Sequence, residues 1–334
     1  MALLYVTSDE RGAGKTAFCV GLAHLLTMQG KRATIFKPMG NSDEDPDIAI
    51  YQALLSTEVD GWPIATAPAR LSDDLLDQIK TAANSAAEDN DIVIVEGPSE
   101  ISSADAGKLA EALDAKAVVV SRYSPERKAS ELRHWQDVFK GRMLGYVING
   151  VTKYQGTESR SGLLEAMVGE GMNCLGALPE DRRLLGVSVD QLARHLGGEF
   201  LGDSGDKDCL VEYLMVGGWT LDSGEIYFGI HDNRAAIVRG GRPDMQMAAL
   251  ASAGTTSCIV LTDGVKPIEY VQYEAEQEEV PLVLVSEGTL ETMDNLNTLM
   301  ESSRFDHPSK LERFAQLMQA HLDVDAIASA LDTT

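Results

Sequence analysis

The sequence lacks the residue patterns of membrane, secreted and disulfide-rich proteins. Its 334 residues include four cysteines, which are far apart and form no C-x-x-C pair, so neither a zinc site nor a disulfide framework is expected. No stretch reaches the roughly 18 apolar residues that a membrane-spanning helix requires, and no basic segment followed by an apolar one stands at the N-terminus. We therefore expect a cytoplasmic protein whose cysteines are small buried hydrophobic residues.

Positive charge is also scarce, and histidines are not clustered. The sequence has 28 lysines and arginines against 52 aspartates and glutamates, and this net charge of -24 argues against binding to nucleic acid or to an anionic membrane. The six histidines have no metal-ligand spacing, and the serines after Glu96 have no histidine at a spacing typical of a serine nucleophile. A zinc enzyme and a serine hydrolase are therefore disfavoured.

Short apolar runs alternate with amphipathic segments of helix length over the first 200 residues. The predicted strands are residues 2–6, 33–37, 91–97, 117–123, 145–150 and 174–179. This alternation predicts an α/β fold, in which a parallel sheet is covered by helices on both faces. Ligands of such sheets bind at the carboxyl ends of the strands.

A polar stretch at residues 202–208 indicates a linker, and the alternation starts again after it. Further strands are predicted at 209–216, 225–230, 235–241, 258–264 and 281–288, and helices at 244–253, 268–278 and 290–302. An amphipathic helix is predicted at 307–322. We expect two domains, a larger one at 1–202 and a smaller α/β domain at 209–334 that includes this last helix.

The segment SDERGAGKT, residues 8–16, ends as a nucleotide-binding loop does. It lacks the first glycine of the pattern G-x-x-x-x-G-K-[ST], because Asp9 occupies that position. The loop follows a predicted strand and precedes a predicted helix, so backbone N–H groups and the positive end of the helix surround a point where an anion fits. Gly12 and Gly14 allow close approach of a phosphate, and Lys15 supplies a cation. The alternative is a decayed loop in which Lys15 caps a surface turn.

Carboxylates from two other stretches are expected at the same strand ends. Glu96 ends an apolar run, where its carboxylate can orient hydrated Mg²⁺ beside the hydroxyl of Thr16. The stretch DEDPDIA, residues 43–49, places carboxylates at a predicted helix start. Asp45 is there either the N-cap of the helix or a metal ligand.

Taken together, these stretches resemble a known family. Six stretches resemble the dethiobiotin-synthetase-like domain, which stands at the N-terminus of many bacterial phosphotransacetylases and also occurs in shorter stand-alone relatives. They are TSDERGAGKTA, FKPMGN, DEDPDIA, VIVEG, GYVINGV and LGALPEDRRLLGVSVDQLARHLGG. The DRTGG domain that follows it there is similar to IVRGGRPDMQMAAL, CIVLTDGVKP and VPLVLVSEGT. The resemblance covers nearly the whole chain, and it implies a P-loop NTPase-type parallel sheet with helices on both faces, followed by a smaller α/β DRTGG domain.

The resemblance also implies roles for individual residues. The first glycine of the loop is routinely absent in this family, so Asp9 is a family trait. The implied ligands of ATP are Gly12, Ala13, Gly14, Lys15, Thr16, Ala17 and Asn149, and those of Mg²⁺ are Thr16, Glu96 and Asp45 or Asp47. Lys15 and Lys37 are the implied catalytic residues, with Lys37 facing a reacting carboxylate and phosphate. Asn149 is placed at the adenine, whereas from the sequence alone it is a turn residue before Gly150.

Two classes of function follow. One is an ATP-dependent ligase or synthetase of the dethiobiotin-synthetase type, acting on an unknown carboxylate or amine. The other is a regulatory module that binds ATP and Mg²⁺ with weak or no ATPase activity, and whose DRTGG domain senses a ligand or mediates assembly. Dethiobiotin synthetase has a glycine-rich substrate loop where Pro98 here follows Gly97, so the regulatory module is favoured. No acetyl transfer is expected, because the acetyl-transfer domain of phosphotransacetylases follows the matched region. We do expect a homo-oligomer, either a dimer or a larger assembly, and a metabolic enzyme as a partner.

The segment RGGRPDM, residues 239–245, joins a predicted strand to a predicted helix in the second domain. Arg242 projects a cation there, which suits an anionic ligand or the carboxylate of a partner. It can equally pair with a nearby acid, Asp244 or Asp263, and only hold the turn. The sequence leaves both interpretations open.

Overall fold

The computed structural model describes residues 2–40, 42, 45–57, 61–67, 71–99, 101–152, 158–218, 224–299 and 303–332. The chain divides into two compact units, the first made of Met1–Asp181 and Phe305–Thr334 and the second of Arg182–Arg304. The chain therefore passes from the first unit to the second and back again. Of the helices that the described residues form, none combines the length and the apolar composition that a bilayer span requires.

The helices and strands follow one another along the chain in three groups. Up to Asp181 they are β1 (Ala2–Ser8), α1 (Lys15–Met28), β2 (Ala33–Phe36), β3 (Met39–Gly40), α2 (Pro46–Leu55), β4 (Ala65–Thr66), α3 (Asp73–Ala86), β5 (Ile92–Glu96), α4 (Ser103–Ala112), β6 (Lys116–Arg122), α5 (Ala129–Leu132), α6 (His134–Phe139), a 3₁₀ turn (Lys140–Arg142), β7 (Met143–Val151), α7 (Glu158–Gly169) and β8 (Cys174–Pro179). In the second unit they are α8 (Arg182–Leu185), β9 (Val187–Ser188), α9 (Val189–His195), β10 (Glu199–Phe200), β11 (Leu210–Val211), β12 (Tyr213–Gly217), α10 (Gly224–Phe228), β13 (Arg234–Arg239), α11 (Pro243–Ala251), β14 (Thr256–Thr262), α12 (Glu269–Gln277), β15 (Leu282–Leu284) and α13 (Thr289–Leu296). The chain then returns to the first unit with α14 (Pro308–His321) and α15 (Val324–Asp332).

The first unit is built on a six-stranded parallel sheet in the order β2-β5-β1-β6-β7-β8, which confirms the predicted fold class. Its central strand β1 lies between β5 and β6, with Val6 opposite Glu96 of β5 and Val118 of β6. The carboxyl ends of all six strands therefore meet at one edge, and the loop after β1 stands in the middle of that edge.

Helices cover both faces of this sheet. One face packs on α3, α4, α6 and α7 through alternate strand residues such as Leu3 and Tyr5 of β1 and Val93 and Val95 of β5. The other face contacts α1, α14 and α15. Because successive residues of a strand point to opposite faces, strands covered on both sides are apolar throughout, which is why they could be recognised in the sequence.

The second unit has a five-stranded sheet in the order β10-β15-β14-β13-β12, in which only β10 is antiparallel. Helices α9 and α13 pack on one face, and α10, α11 and α12 on the other. Two short two-stranded sheets, β3 with β4 and β9 with β11, complete the described strands.

The structure differs from the sequence prediction at one strand and at the domain boundary. Residues 225–230 were predicted as a strand, but they contain helix α10; β12 and β13 are parallel neighbours, and such strands need a crossover connection. The predicted linker at 202–208 lies inside the second unit, because β10 before it pairs with β15. Helix α14, predicted as part of the second domain, belongs to the first unit and packs on α1.

Candidate functional site

The loop between β1 and α1 has the backbone of a phosphate-binding turn. Gly12 and Gly14 have φ of +74° and +91°, a region that residues with side chains rarely adopt, and Gly14 is the N-cap of α1. Asp9 has no positive φ, so its backbone conformation does not require the glycine that the general pattern has there. Helix α1 begins at Lys15, and the backbone N–H groups of its first turn have no partner within the helix, so they point towards the loop.

Lys15 is 5% exposed, and its Nζ donates to the hydroxyls of Ser8 and Ser99, each at 3.1 Å. No ion pair among the described residues includes Lys15. Burial lowers the pKa of Lys15, although the carboxylate of Glu96 opposes the shift. The sequence did not single out Ser99 as a partner. A buried ammonium held by two neutral hydroxyls leaves charge for an anion to balance.

Glu96 lies at the carboxyl end of β5, beside the loop. The Thr16 hydroxyl donates to its Oε1 at 2.9 Å, and the Tyr51 hydroxyl donates to its Oε2. Burial raises the pKa of Glu96, and the ammonium of Lys37 opposes that shift. Tyr51 was missed by the sequence analysis, although it lies on α2 four residues after Asp47 and so on the same helix face.

Lys37 follows β2 and is buried among three carboxylates. Its Nζ donates to Asp45 Oδ1 at 3.1 Å and also to Asp47, and it lies 3.8 Å from Glu96 Oε1. Burial by itself lowers the pKa of Lys37, but Glu96 and Asp47 outweigh it, so that the pKa lies above the ordinary value. Asp45 also caps α2 by accepting the N–H of Asp47 at 3.0 Å, as one of the two predicted roles requires. Residues 43 and 44 of the predicted acidic stretch lie outside the described residues.

These contacts form one connected cluster, from Thr16 through Glu96 to Lys37 and then to Asp45 and Asp47. Within the described ranges, no group of three or more His, Cys, Asp or Glu residues is placed to hold a metal ion by itself. A hydroxyl beside one carboxylate suits Mg²⁺, which is bound by few protein ligands together with water and substrate phosphates.

Asn149, near the end of β7, holds the loop at its other end. Its Nδ2 donates to the carbonyl oxygen of Ala13 at 2.9 Å, and Gly150 after it has φ of +78°. A side chain at position 14 would collide with Asn149, so the glycine is needed there for space as well as for conformation. Ala17, the remaining predicted nucleotide contact, lies in the first turn of α1.

A second set of charged residues lies at the start of the loop, and of these the sequence analysis named only Asp9. Arg127 pairs with Asp9 and with Glu10, and the Ser121 hydroxyl donates to Asp9 Oδ2 at 3.1 Å. Arg127 comes from the loop after β6, the neighbour of β1, so it is close in the sheet but far away in the sequence. A basic residue just after a strand was the only sequence signal.

In the second unit, Arg242 forms two hydrogen bonds with the carboxylate of Asp244, at 2.8 and 2.7 Å. Arg239 lies 3.6 Å from Asp263. The pairing of Arg242 with Asp244 is one of the two interpretations that the sequence left open, and it accounts for Arg242 without a ligand.

Two family models match successive parts of the chain. A family model described as an AAA domain, AAA_26, matches residues 3–187, and one described as a DRTGG domain matches residues 191–299. Phosphate acetyltransferase of Nitratidesulfovibrio vulgaris is 23% identical over 98% of this chain and 51% of its own length, and that of Pseudomonas putida is 24% identical over 97% and 51%. The chain thus spans about half the length of these relatives.

Two solved structures match parts of the chain. Cobyrinic acid a,c-diamide synthase of Mycobacterium smegmatis, with an ATP analogue and magnesium, has a TM-score of 0.38 at 17% identity over 55% of this chain and 88% of its own. The CBS and DRTGG domains of Clostridium perfringens pyrophosphatase have a TM-score of 0.32 at 16% identity over 38% of this chain and 53% of theirs. Since one family model covers more than half of the chain, this protein belongs to the AAA_26 family of AAA domains, here a P-loop domain followed by a DRTGG domain.

Proposed function

We propose that the first unit binds ATP with Mg²⁺ at residues 12–16, and that the protein is a regulatory module with weak or no ATPase activity. The observation that carries the proposal is Lys15, a buried ammonium whose described partners are hydroxyls, at the start of a 14-residue helix. The helix N-terminus and the two positive-φ glycines add backbone N–H groups around the same point. A polyphosphate fits these donors.

The residues also fit Mg²⁺. Thr16 and Glu96 would hold it, directly or through water, because their oxygens already lie 2.9 Å apart. Bound there, Mg²⁺ would neutralise charge on the phosphate oxygens. Asp45 and Asp47 remain candidates as well, and in this structure they bind Lys37.

A ligase of the dethiobiotin-synthetase type is the second candidate, and the position of Lys37 favours it. Its Nζ is 3.8 Å from Glu96, so it lies next to the proposed metal and phosphate. However, the carboxylates of Asp45 and Asp47 already balance its charge, which leaves it a weak partner for a substrate carboxylate. We therefore prefer the regulatory module, in which the DRTGG domain senses a ligand or mediates assembly as a homo-oligomer or with a metabolic enzyme.

Calorimetric titration with Mg²⁺ and ATP tests the nucleotide site. Lys15→Ala removes a charge-assisted contact with phosphate, for which about 2 kcal/mol, or roughly a 30-fold higher Kd, is expected. Lys108→Ala is the matched control, because Lys108 is exposed and pairs only with Asp105 on its own helix α4 among the described residues. Equal affinity of wild type and Lys15→Ala would show that the loop is vestigial.

An ATPase assay separates the two candidate functions. A regulatory module should turn over far more slowly than about 1 s⁻¹, with or without added carboxylates and amines, since typical enzymes have kcat of about 1 s⁻¹ or more. Turnover above that rate that is stimulated by a small carboxylate and lost in Lys15→Ala would establish the ligase instead.

A further inference from the structure

The residue that replaces the first glycine of the loop is held by a neighbouring strand. Asp9 and Glu10 both pair with Arg127, through different guanidinium nitrogens, the second pair at 3.0 Å. The Ser121 hydroxyl, at the end of β6, donates to the same Asp9 oxygen that Arg127 contacts. We call Arg127, Asp9, Glu10 and Ser121 the Arg127 cluster.

Within this cluster the pair of Arg127 with Asp9 is not a solvent-screened surface ion pair, whereas the side chain of Glu10 is 42% exposed. The side chain of Arg127 is 15% exposed and that of Asp9 is 8% exposed, while Ser121 is fully buried. Burial raises the pKa of Asp9, and the guanidinium of Arg127 opposes that shift. A carboxylate with so little access to water depends on its partner, so removing Arg127 would release the start of the loop rather than leave it in place.

We propose that Arg127 is a positioning residue for the phosphate loop, a role that rests on the proposed nucleotide binding. The loop is attached to the rest of the sheet at two points, at its start by Arg127 from the loop after β6 and at its end by Asn149 from β7. Between them lie Gly12 and Gly14, which add conformational freedom that these two attachments restrict. Through its pair with Arg127, Asp9 fixes the start of the loop.

Charge gives Arg127 a second effect on the same loop. Asp9 and Glu10 place two carboxylates beside a site proposed for a polyanion, and Arg127 balances one of them. Without it, the carboxylates would repel phosphate as well as loosen the loop. The apparent Kd of a site rises in inverse proportion to the fraction of molecules in the competent conformation, so a loop that is ordered a tenth of the time binds about tenfold more weakly.

Hydrogen exchange and calorimetry test this role on the full chain. In Arg127→Ala, amide exchange without nucleotide should quicken in the peptide that covers residues 9–14 and stay unchanged in α3 and α4, and the Kd for Mg²⁺ and ATP should rise about tenfold. Arg127→Lys keeps the charge but cannot bridge two carboxylates with a planar guanidinium, so its exchange rate at residues 9–14 and its Kd should lie between those of the wild type and Arg127→Ala. Arg142→Ala, which breaks an exposed pair with Asp114, is the matched control and should change neither.

The outcomes separate positioning from general stability. Quicker exchange throughout the first unit would make Arg127 a merely structural residue, and unchanged exchange at 9–14, or an unchanged Kd, would overturn the proposal. If Arg127→Ala does not fold, Arg127→Lys decides by the same two measurements. If the wild type binds no nucleotide, the proposed function fails, and the exchange data still show whether Arg127 orders the loop.

Discussion

Replacing Lys37 by methionine should destabilise the first unit strongly, because three carboxylates depend on its charge. The side chain of Lys37 is 2% exposed, and those of Asp45 and Glu96 are 0% and 2% exposed, so water cannot take over the role of the ammonium. Methionine keeps much of the aliphatic stem and removes only the charge and its donors.

The magnitude follows from the burial of these partners. Removing one partner of a buried ion pair costs about 3–5 kcal/mol. Two effects reduce this cost. The side chain of Asp47 is 23% exposed, so water can hydrate its carboxylate. Protonation of one carboxylate relieves a further part of the cost, about 1.4 kcal/mol for each unit by which its pKa shifts. We therefore expect about 4 kcal/mol, which corresponds to a fall of roughly 10 °C in Tm for a unit of this size.

Scanning calorimetry without nucleotide provides the measurement. Lys31→Met is the control, since Lys31 pairs with Asp332, whose side chain is 62% exposed, and less than about 1 kcal/mol is expected for it. Equal shifts for the two variants, or a shift below about 2 °C for Lys37→Met, would refute the argument that Lys37 balances a desolvated acidic cluster.

Two further predictions concern α14. Burial lowers the pKa of Lys310 to about 8 from an ordinary 10.5, so the charged lysine destabilises the folded state most below pH 8 and hardly at all by about pH 10.5. Lys310→Met should therefore raise the free energy of unfolding by up to about 3 kcal/mol at pH 7 and by little at pH 10.5. Urea titrations at both pH values measure this difference. A fragment of residues 1–202 should fail to unfold cooperatively, because it lacks Phe314 and Met318, two large side chains of α14 that are buried in the first unit. By contrast, residues 1–181 joined to residues 305–334 by a flexible linker should show a sharp calorimetric transition. A sharp transition for the shorter fragment would contradict the assignment of α14 to the first unit.

The parts of the fold that depend on neighbours in sequence were predictable. The six strands of the first sheet contain short apolar runs, and the loop at 12–16 has its glycines, lysine and threonine close together in the sequence. Parallel order also allowed Glu96 to be expected beside Thr16, since both stand at strand ends on one edge of the sheet, and their oxygens are 2.9 Å apart.

The remaining features depend on contacts that no local pattern records. Arg127 reaches Asp9 only because β6 is the neighbour of β1 in the sheet. Residues 225–230 form an apolar run short enough for a strand, and it is the parallel pairing of β12 and β13, which needs a crossover connection, that favours a helix there. Likewise, an amphipathic helix such as α14 shows which face is apolar but not which sheet it covers.

The return of the chain to its first unit has a consequence for synthesis on the ribosome. Domains generally fold in order as they emerge, but here the sheet that begins at β1 is covered partly by α14 and α15, which are made after the whole second unit. At 5–20 residues per second, the face of the sheet that these helices cover would stay exposed for on the order of ten seconds while the second unit is translated. During that interval the nascent first unit presents apolar surface to chaperones, and the second unit is free to complete its own core first.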